Sequence, residues 1–298
     1  MDFEKFTQEV KKILEEKLGE GCEVRIHKTL KNNGVKKSGV MLIKEGERFC
    51  PILYLEGAYG KFCDGMKLEE AADDLLRVYG RQDGEAELAE KFSFESFEDY
   101  SHVKENLQIR LINYEKNTEI LKDMPYVRWN DLAAIFFYEI EGWENGQAGV
   151  AVNNHHLALW KEATVETLYG NALENMRNRV EEELFLLSDL FTEKQAQGIT
   201  EFPPVYVLTN RTRQYGAAVM LYSGKMKELA DTFGSDLVIL PSSLHEVLLL
   251  PDHDGMHLRW EQMVREVNRA AVDPEEVLSD HIYRYSREKD AVELLAAG

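Results

Sequence analysis

The sequence predicts an α+β fold with mixed or antiparallel sheets, flanking helices and two lobes. Two patterns carry this prediction. Segments with apolar residues at helical spacing alternate along the chain with extended, strand-like segments. The strand-like segments come in neighbouring pairs, and the connection between "SDLVIL" and "EVLLL" is shorter than the roughly twelve residues that a parallel crossover needs. Neighbouring antiparallel strands combined with separate helices are typical of the α+β class.

The N-terminal region predicts a helix, a strand meander and a second helix. In the meander, Asn33-Gly34 favours a chain reversal because both residues tolerate positive φ. Pro51, near the start of the last extended run, favours an edge position because proline cannot donate to a sheet. The second helix is "LEEAADDLLRVYG", which Gly80 ends. The first helix ends at Gly19, and its apolar face consists of Phe3, Phe6, Val10, Ile13, Leu14 and Leu18.

The middle of the chain predicts strands followed by a long helix. "RQDGEAELAEKFSFESFEDY" is polar and has no strong period, which indicates a loop with short helical turns. The next segment predicts a strand and a short helix that Pro125 ends. "DLAAIFFYEIEG" and "GQAGVAVNN" predict a second strand pair, and "TVETLYGNALENM" predicts an amphipathic helix.

A break in periodicity predicts the boundary between the two lobes. The segment "TEKQAQGITEFPP" is polar and contains a glycine and a double proline, which is typical of a linker. We therefore predict an N-terminal α+β lobe over residues 1–191, a linker over 192–204 and a C-terminal α+β lobe over 205–298.

The C-terminal region predicts two strand pairs. "PVYVLTN" and "YGAAVMLYS" are interpreted as strands on either side of the polar turn "NRTRQ". "SDLVIL" and "EVLLL" are predicted to be antiparallel neighbours in a covered central sheet, since both are apolar on both faces. Pro241 suits the point at which their pairing ends. "HIYRYS" predicts a final strand.

Three helices are predicted around these strands. "GKMKELADTFG" is a helix, with Ser223 as its N-cap and Gly234 as its C-cap. "VDPEEVLSD" predicts a short helix in which Asp273 is the N-cap and Glu276 completes a capping box. Between them, "MHLRWEQMVREVN" is a helix whose apolar face is Trp260, Met263, Val264 and Val267.

Composition limits the classes of partner. The chain carries 35 Lys and Arg against 54 Asp and Glu, a formal net charge of −19. An acidic surface repels phosphate, so we expect neither nucleic acid nor an anionic membrane as a partner, and we expect a protein instead. The N-terminus has no signal-peptide pattern, which favours a cytoplasmic protein. Three cysteines without C-x-x-C spacing, Cys22, Cys50 and Cys63, predict free thiols. The sequence leaves the oligomeric state open.

The segment "LPSSLHEVLLLP" contains the residues that most resemble a hydrolase site. Ser243, His245 and Glu246 are the candidate nucleophile, base and acid. However, the chain contains no G-x-S-x-G, and triads are normally assembled from distant segments. Ser243 and Glu246 fit the S-x-x-E capping pattern. We therefore interpret this stretch as a capped turn between two strands and predict no catalytic residue.

A second cluster contains residue types that bind metals. Asp252, His253, Asp254 and His257 follow one another closely in "PDHDGMH". No H-E-x-x-H or similar signature is present, and Gly255 interrupts any shared helical face. The prediction is an acidic loop that leads into a helix, without a metal.

The remaining polar motifs favour structural roles. His155 and His156 are adjacent and point apart, and the asparagines before them are typical of a cap. Arg211 and Arg213 are typical of a solvated turn. No phosphate-binding loop and no G-x-G-x-x-G occur, so no cofactor is predicted. Carboxylates such as Asp99, Glu105 and Asp131 are present, but the sequence does not show how they pair.

The C-terminal third contains the segments "VYVLTN", "YGAAVMLY", "GSDLVILPSSLHEVLLLP", "MVREVNR" and "VDPEEVLSDHIYRYSREK". Together they resemble an uncharacterised bacterial domain-of-unknown-function family, which we associate with anaerobic Gram-positive gut bacteria. The earlier stretches "LKNNGV", "LINYEKN" and "LALW" are similar to that family as well. The resemblance extends over nearly the whole chain and implies a soluble intracellular protein. It implies no activity, cofactor or catalytic residue.

Three functions are compatible with these observations. The first is a non-enzymatic accessory or regulatory protein that acts through protein–protein contacts. The second is a hydrolase or metal-dependent enzyme that uses Ser243 and His245 or the Asp252–His257 cluster. The third is an acidic decoy that binds a nucleic-acid-binding protein. A deep pocket with convergent ionisable groups favours the second, an acidic ridge the third, and a flat apolar patch the first.

Overall fold

The chain forms two compact units. The structure, a computed structural model, describes residues 1–46, 50–80, 93–140, 149–190, 204–222, 224–253 and 255–295. The units are Met1–Ser93 and Phe94–Gly298. Both combine helices with antiparallel sheets, which confirms the predicted α+β class. Within the described residues, every helix is too short or too polar to cross a membrane.

The first unit is a three-stranded sheet covered by helices. Its strands are β1 (Cys22–Leu30), β2 (Lys36–Lys44) and β3 (Ile52–Tyr54), in the order β1-β2-β3 with antiparallel pairing. Its helices are α1 (Phe3–Leu18), α2 (Glu56–Cys63) and α3 (Leu68–Tyr79). The predicted helix, meander and second helix are therefore confirmed.

Local signals explain the bounds of α1 and the turn after β1. The Asp2 side chain accepts a hydrogen bond of 2.8 Å from the Lys5 N–H, which caps the helix. Gly19 ends it with a φ of 69°, where an L-residue would be strained. The predicted reversal occurs at Asn33 and Gly34, whose φ values are 57° and 73°. The buried face of α1 packs into the core of this unit through Phe6, Val10 and Leu14.

The second unit contains two antiparallel sheets. In the smaller sheet, β6 (Leu132–Glu139) pairs with β4 (Leu107–Asn113) on one edge and with β5 (Tyr126–Trp129) and β7 (Gly149–Ala151) on the other. The pairing of β6 with β7 confirms the second predicted strand pair. Helix α7 (Val165–Arg179) packs against this sheet, and its residues Leu168, Ala172 and Met176 are buried. The Met176 sulfur accepts a hydrogen bond from a backbone N–H of β4. The shorter helices are α4 (Phe94–Glu98), α5 (Tyr100–Val103) and α6 (Asn154–Leu159).

The larger sheet has six strands in the order β13-β12-β10-β11-β9-β8. These are β8 (Glu182–Leu186), β9 (Tyr206–Asn210), β10 (Leu237–Pro241), β11 (Val247–Pro251), β12 (Tyr283–Ser286) and β13 (Ala291–Leu294). β10 and β11 are antiparallel and central, and their last pair is Pro241 with Val247, as the sequence predicts. The helices of this part are α8 (Gly224–Phe233) and α9 (His257–Ala270), whose Trp260 and Val264 belong to one buried cluster with β10 and β11.

The two strands that flank the predicted linker pair with each other. β8 precedes residues 192–204 and β9 follows them, and Leu184 pairs with Leu208. Both strands belong to the unit Phe94–Gly298, and the two units divide between Ser93 and Phe94. Residues 191–203 lie outside the described residues, so the linker itself stays a prediction.

Three local predictions are wrong. "YGAAVMLYS" is not a strand: Gly216–Leu221 is a 3-10 helix, because Tyr215 before it has a φ of 52° and breaks the extended chain. The run is buried throughout, and a buried helix cannot be distinguished from a buried strand by periodicity. "VDPEEVLSD" forms turns rather than a helix. Val267 is 47% exposed rather than on the buried face of α9.

The predicted caps of α8 have different outcomes. Gly234 ends the helix with a φ of 67°, and the Ser235 N–H donates back to the Ala230 carbonyl, as expected of a glycine C-cap. Ser223, the predicted N-cap, lies outside the described residues.

We predict that the backbone amides of Val238 and Leu248 are among the slowest to exchange with solvent. β10 lies between β11 and β12, and β11 lies between β10 and β9. Because both strands have a neighbouring strand on each side, the two amides are expected to be protected by strand pairing. Hydrogen exchange followed by NMR provides the measurement, and the alternate unpaired amides of the edge strand β13 serve as the internal control. Exchange at both central positions as fast as at that edge would contradict the sheet order.

Candidate functional site

A cleft of about 350 Å³ lies within the second unit. It forms where five segments end or begin: β5, the last turn of α7, the 3-10 helix Gly216–Leu221, the first turn of α8, and the hairpin of β12 and β13. Its lining combines aromatic rings, two cationic side chains and one carboxylate. The lining residues are Trp129, Arg177, Met220, Leu221, Tyr222, Gly224, Met226, Lys227, Tyr285, Asp290, Ala291 and Val292.

A half-buried carboxylate, Asp131, connects the walls of this cleft. Asp131, in the turn between β5 and β6, accepts hydrogen bonds of 2.6 Å from the Ser279 hydroxyl and 2.6 Å from the Tyr283 hydroxyl. Burial first, and then the Asp131 charge, raise the pKa of Tyr283 well above its ordinary value, so its hydroxyl stays a donor. The Trp129 ring lies 6.0 Å from the Tyr283 ring. These contacts fix Trp129 of the small sheet beside β12 of the large sheet.

The hairpin of β12 and β13 contributes a carboxylate, Asp290, that already has hydrogen-bonding and ionic partners. The Tyr285 hydroxyl donates to Asp290 at 2.5 Å, and the Lys227 ammonium lies 3.5 Å from the other Asp290 oxygen. Hydrogen bonding from Tyr285, supported by the Lys227 charge, holds the pKa of Asp290 below its ordinary value. Asp290 has a φ of 48°, which a tight turn imposes. The cleft therefore contains an ionised carboxylate that already has two partners.

Two other lining residues are less engaged. Arg177 is exposed in the last turn of α7, and among the described residues no hydrogen bond or ion pair holds its guanidinium. The Tyr222 hydroxyl is buried and has no hydrogen-bond partner in the described part of the chain. Burial, and then the Glu182 charge, raise the pKa of Tyr222 above its ordinary value. An unsatisfied buried hydroxyl is unfavourable, so it marks a locally strained part of the lining.

The 3-10 helix that lines the cleft is held at its start by three contacts. The Tyr215 N–H donates to His245 Nδ1 at 3.1 Å. The Arg110 guanidinium lies between two rings, with its Cζ 3.7 Å from the Tyr215 centroid and 3.2 Å from the Phe137 centroid. Burial lowers the pKa of Arg110 to about 10, which leaves it charged at neutral pH. At Gly216 a Cβ would collide with the His245 carbonyl, so only glycine fits there.

The predicted hydrolase candidates form a turn in the structure. Ser243 Oγ accepts from the His245 N–H at 3.0 Å, and the Ser243 N–H donates to the Glu246 carbonyl at 3.3 Å. The Ser242 hydroxyl, rather than Ser243, contacts the Glu246 carboxylate at 3.4 Å. His245 Nε2 lies 3.5 Å from a Glu276 carboxylate oxygen. These contacts support the interpretation of the stretch as a turn capped by Ser243, although the Glu246 carboxylate contacts Ser242 instead of returning to Ser243.

Glu276 has a different role from the predicted one. Its N–H donates to the Asp273 carbonyl, and Asp273 Oδ1 accepts from the Glu275 N–H at 3.0 Å. The Glu276 carboxylate faces His245 instead of returning to the backbone of Asp273. No capping box forms here, because the chain turns after Glu276 instead of continuing as a helix.

The predicted metal-ligand candidates form an ion-pair network. The His257 Nε2 lies 2.7 Å from one Asp252 oxygen, and the Arg284 Nε lies 3.1 Å from the other. An arginine on this carboxylate disfavours a cation at the same place. His253 is exposed, and Asp254 lies outside the described residues. Within the described residues, no group of three or more His, Cys, Asp or Glu side chains is arranged to hold a metal.

The other polar motifs have local partners. Asn153 caps α6, because its Oδ1 accepts from the His156 N–H at 2.9 Å while its own N–H donates to His156 Nδ1. Burial, and then His155, lower the pKa of His156. Arg211, directly after β9, forms an ion pair of 2.9 Å with Glu181, directly before β8. Cys22, Cys50 and Cys63 are free thiols.

Sequence reasoning missed the cleft. None of its twelve lining residues was a candidate, because they come from five separate segments and form no motif. One signal was present: "YRY" and "AVEL" flank the polar stretch "SREKD", which is a hairpin pattern. Recognising β13 would have placed Asp290 in the turn that joins it to β12, close to Tyr285.

Comparisons with known proteins give a family without a function. A model described as "Family of unknown function (DUF5688)" matches residues 3–287 of the chain. Searches of curated proteins and of solved structures found no match.

We predict opposite effects from the same chemical change at two tyrosines of the cleft. Tyr222→Phe removes an unsatisfied buried hydroxyl and should leave the free energy of unfolding unchanged or raise it by up to about 1 kcal/mol. Tyr285→Phe removes a hydrogen bond from a buried hydroxyl to an exposed carboxylate and should lower the free energy of unfolding by about 0.5–1 kcal/mol. Urea unfolding at neutral pH provides the measurement. A loss at Tyr222 as large as that at Tyr285 would contradict this description.

The Tyr285 contribution should depend on pH. The folded pKa of Asp290 is depressed, so the stabilisation is present above the ordinary carboxyl pKa and is lost as the pH falls through the lowered folded value. In Tyr285→Phe the Asp290 pKa should rise toward its ordinary value, which carboxyl ¹³C NMR can follow. An unchanged Asp290 pKa would show that Tyr285 does not control it.

We predict that Ser243→Ala lowers the free energy of unfolding by about 1 kcal/mol, the usual effect of a lost cap. Ser242→Ala is the matched control, because its 3.4 Å contact is long and should contribute less. Both variants can be compared by chemical denaturation. The nucleophile hypothesis would be favoured instead if Ser243→Ala kept full stability but lost a hydrolytic activity that the parent protein has.

Proposed function

The chain belongs to a family of unknown function, DUF5688, and we propose that it is a non-enzymatic accessory protein that binds a small organic ligand in the cleft. One observation carries the proposal. Arg177, Lys227 and three aromatic side chains converge on one concave site of about 350 Å³. Small-molecule sites are typically clefts of roughly 300–1,000 Å³ in which a few polar groups accompany aromatic walls.

The chemistry of the lining supports binding rather than catalysis. Among the described residues that line the cleft there is no Ser, Cys or His, the usual nucleophiles and bases. The carboxylate of Asp290 already accepts from Tyr285 and faces Lys227, so it is not available as a general base. The alternative of a hydrolase or metal-dependent enzyme would need the Ser243 or Asp252 regions, whose side chains are engaged in turns and ion pairs.

The accessory role is proposed to operate through protein contacts. α9 exposes two large apolar side chains, Leu258 at 66% and Val267 at 47%, at separate points on opposite sides of the helix. The formal charge of −19 disfavours nucleic acid as a partner. The sparse, odd set of three cysteines supports the cytoplasmic location that forms part of this proposal. The acidic-decoy hypothesis stays as an alternative, for which a basic protein would be the partner.

A cleft-filling substitution tests the proposal. At Gly224 a Cβ would meet nothing within 4 Å, so Gly224→Leu should occupy the cleft without displacing the backbone. Gly170→Leu is the matched control, because Gly170 is an exposed helical glycine of α7 with equally open surroundings. We expect ligand-observed NMR of a fragment library to find compounds that bind the parent and Gly170→Leu but not Gly224→Leu.

Two results would contradict the proposal. One is a screen that finds no compound whose binding is lost in Gly224→Leu. The other is binding that Gly224→Leu leaves unchanged although the variant is folded by circular dichroism. Either result would leave the protein-contact role without a ligand-binding component.

A further inference from the structure

The geometry points to the class of ligand: we infer that the cleft takes a flat organic anion, an aromatic ring that carries a carboxylate or a phosphate. This inference rests on the proposed function and adds the charge and shape of the ligand. Three features of the lining support it independently: its balance of charge, its free cation and its ring surfaces.

The charge of the cleft is opposite to that of the chain. Two lining side chains are cationic, Arg177 and Lys227, and one is anionic, Asp290, so the lining carries a net charge of +1. The whole chain carries −19. Charges that line a concave site with low-dielectric walls act on a ligand more strongly than the same charges on an open surface. An anion is therefore favoured here, although most of the protein surface repels it.

The single carboxylate does not offset this preference. Asp290 accepts a hydrogen bond of 2.5 Å from the Tyr285 hydroxyl, and its other oxygen lies 3.5 Å from the Lys227 ammonium. A cationic ligand would share this carboxylate with Tyr285 and Lys227 and would be repelled by Lys227 and Arg177. The carboxylate instead orients Lys227, whose remaining N–H groups can still donate to a ligand.

Arg177 is the residue best suited to hold the anionic group. Its neighbour in the same last turn, Arg179, is engaged by the Asn106 side chain at 3.1 Å. Arg177 lines the cleft, and within the described residues its guanidinium has no such partner. Carboxylates and phosphates match the planar donor array of a guanidinium in a bidentate manner. The competing interpretation is that Arg177 only compensates the helix dipole, and it predicts no effect on a ligand.

The ring surfaces favour a flat body on the ligand. Trp129 is fixed by its contact with Tyr283, so its indole is a preorganised wall rather than a mobile side chain. Tyr285 is held by the hydrogen bond of its hydroxyl to Asp290, but only 2% of it is exposed, so Trp129 provides the main ring surface. A volume of about 350 Å³ is near the lower end for small-molecule sites and suits one ring system with one charged substituent.

A matched set of probes separates charge from shape. Benzoate, benzamide and benzamidine have nearly the same size and are anionic, neutral and cationic. Cyclohexanecarboxylate keeps the charge but loses the flat ring, and phenyl phosphate replaces the carboxylate by a phosphate. Binding to the full chain can be measured by NMR titration that follows the Trp129 indole N–H, assigned with Trp129→Phe.

We expect benzoate or phenyl phosphate to bind about tenfold or more tightly than benzamide, and benzamidine to bind most weakly. Cyclohexanecarboxylate should bind less tightly than benzoate. Arg177→Gln should weaken the anions about tenfold and leave benzamide unchanged. Arg259→Gln, the same change at an exposed arginine of α9, should alter nothing. The tighter of the two anions identifies which acidic group the site prefers.

The anion assignment would be wrong if benzamide or benzamidine bound as tightly as both anions and Gly224→Leu abolished that binding. The proposal of a ligand-binding cleft would still stand in that case. Anion binding that Arg177→Gln and Arg259→Gln reduce equally would also overturn it, because general surface charge would then be responsible. If no probe and no library fragment depended on Gly224, the proposed function and this inference would both be wrong.

Discussion

The hydrogen bonds that Asp131 accepts from Ser279 and Tyr283 determine how the larger unit is organised. Asp131 lies in the turn between β5 and β6 of the small sheet, whereas Tyr283 begins β12 of the large sheet. Hydrogen bonds to a charged group contribute about 1.5–3 kcal/mol each, more than most contacts. Because Ser279 and Tyr283 are both buried, loss of the carboxylate would deprive two buried hydroxyl protons of their acceptor. Asp131 thus provides a central polar contact between the two sheets.

The cleft follows from this arrangement. Once Trp129 is fixed beside β12, the hairpin of β12 and β13 provides the opposite wall and α8 closes one side. A second polar contact sets the remaining side: Arg110, held between the rings of Phe137 and Tyr215, fixes the start of the 3-10 helix whose end lines the cleft. Both contacts connect the small sheet to segments of the large one. The lining is therefore a result of sheet packing, and its rings are rigid before any ligand arrives.

The sequence predicted those elements whose causes are local. α1 has an apolar stripe, a capping Asp2 and a terminal Gly19 within one stretch. β10 and β11 are joined by a connection too short for anything except an antiparallel pair. In contrast, Asp131 was recognised only as an available carboxylate, because its partner Ser279 is 148 positions away. The 3-10 helix was missed for a similar reason: the left-handed Tyr215 depends on Arg110 and His245, which are distant in sequence.

The role of Asp131 can be measured by a double-mutant cycle with Asp131→Ala, Tyr283→Phe and the double variant, each unfolded in urea at neutral pH. If the carboxylate fixes the two sheets through this contact, the coupling free energy between the two positions should be about 1–3 kcal/mol. The double variant should then be clearly more stable than the sum of the single losses indicates. A coupling free energy below about 0.3 kcal/mol, the range in which independent sites are additive, would contradict the account, because the walls of the cleft would then be positioned without Asp131.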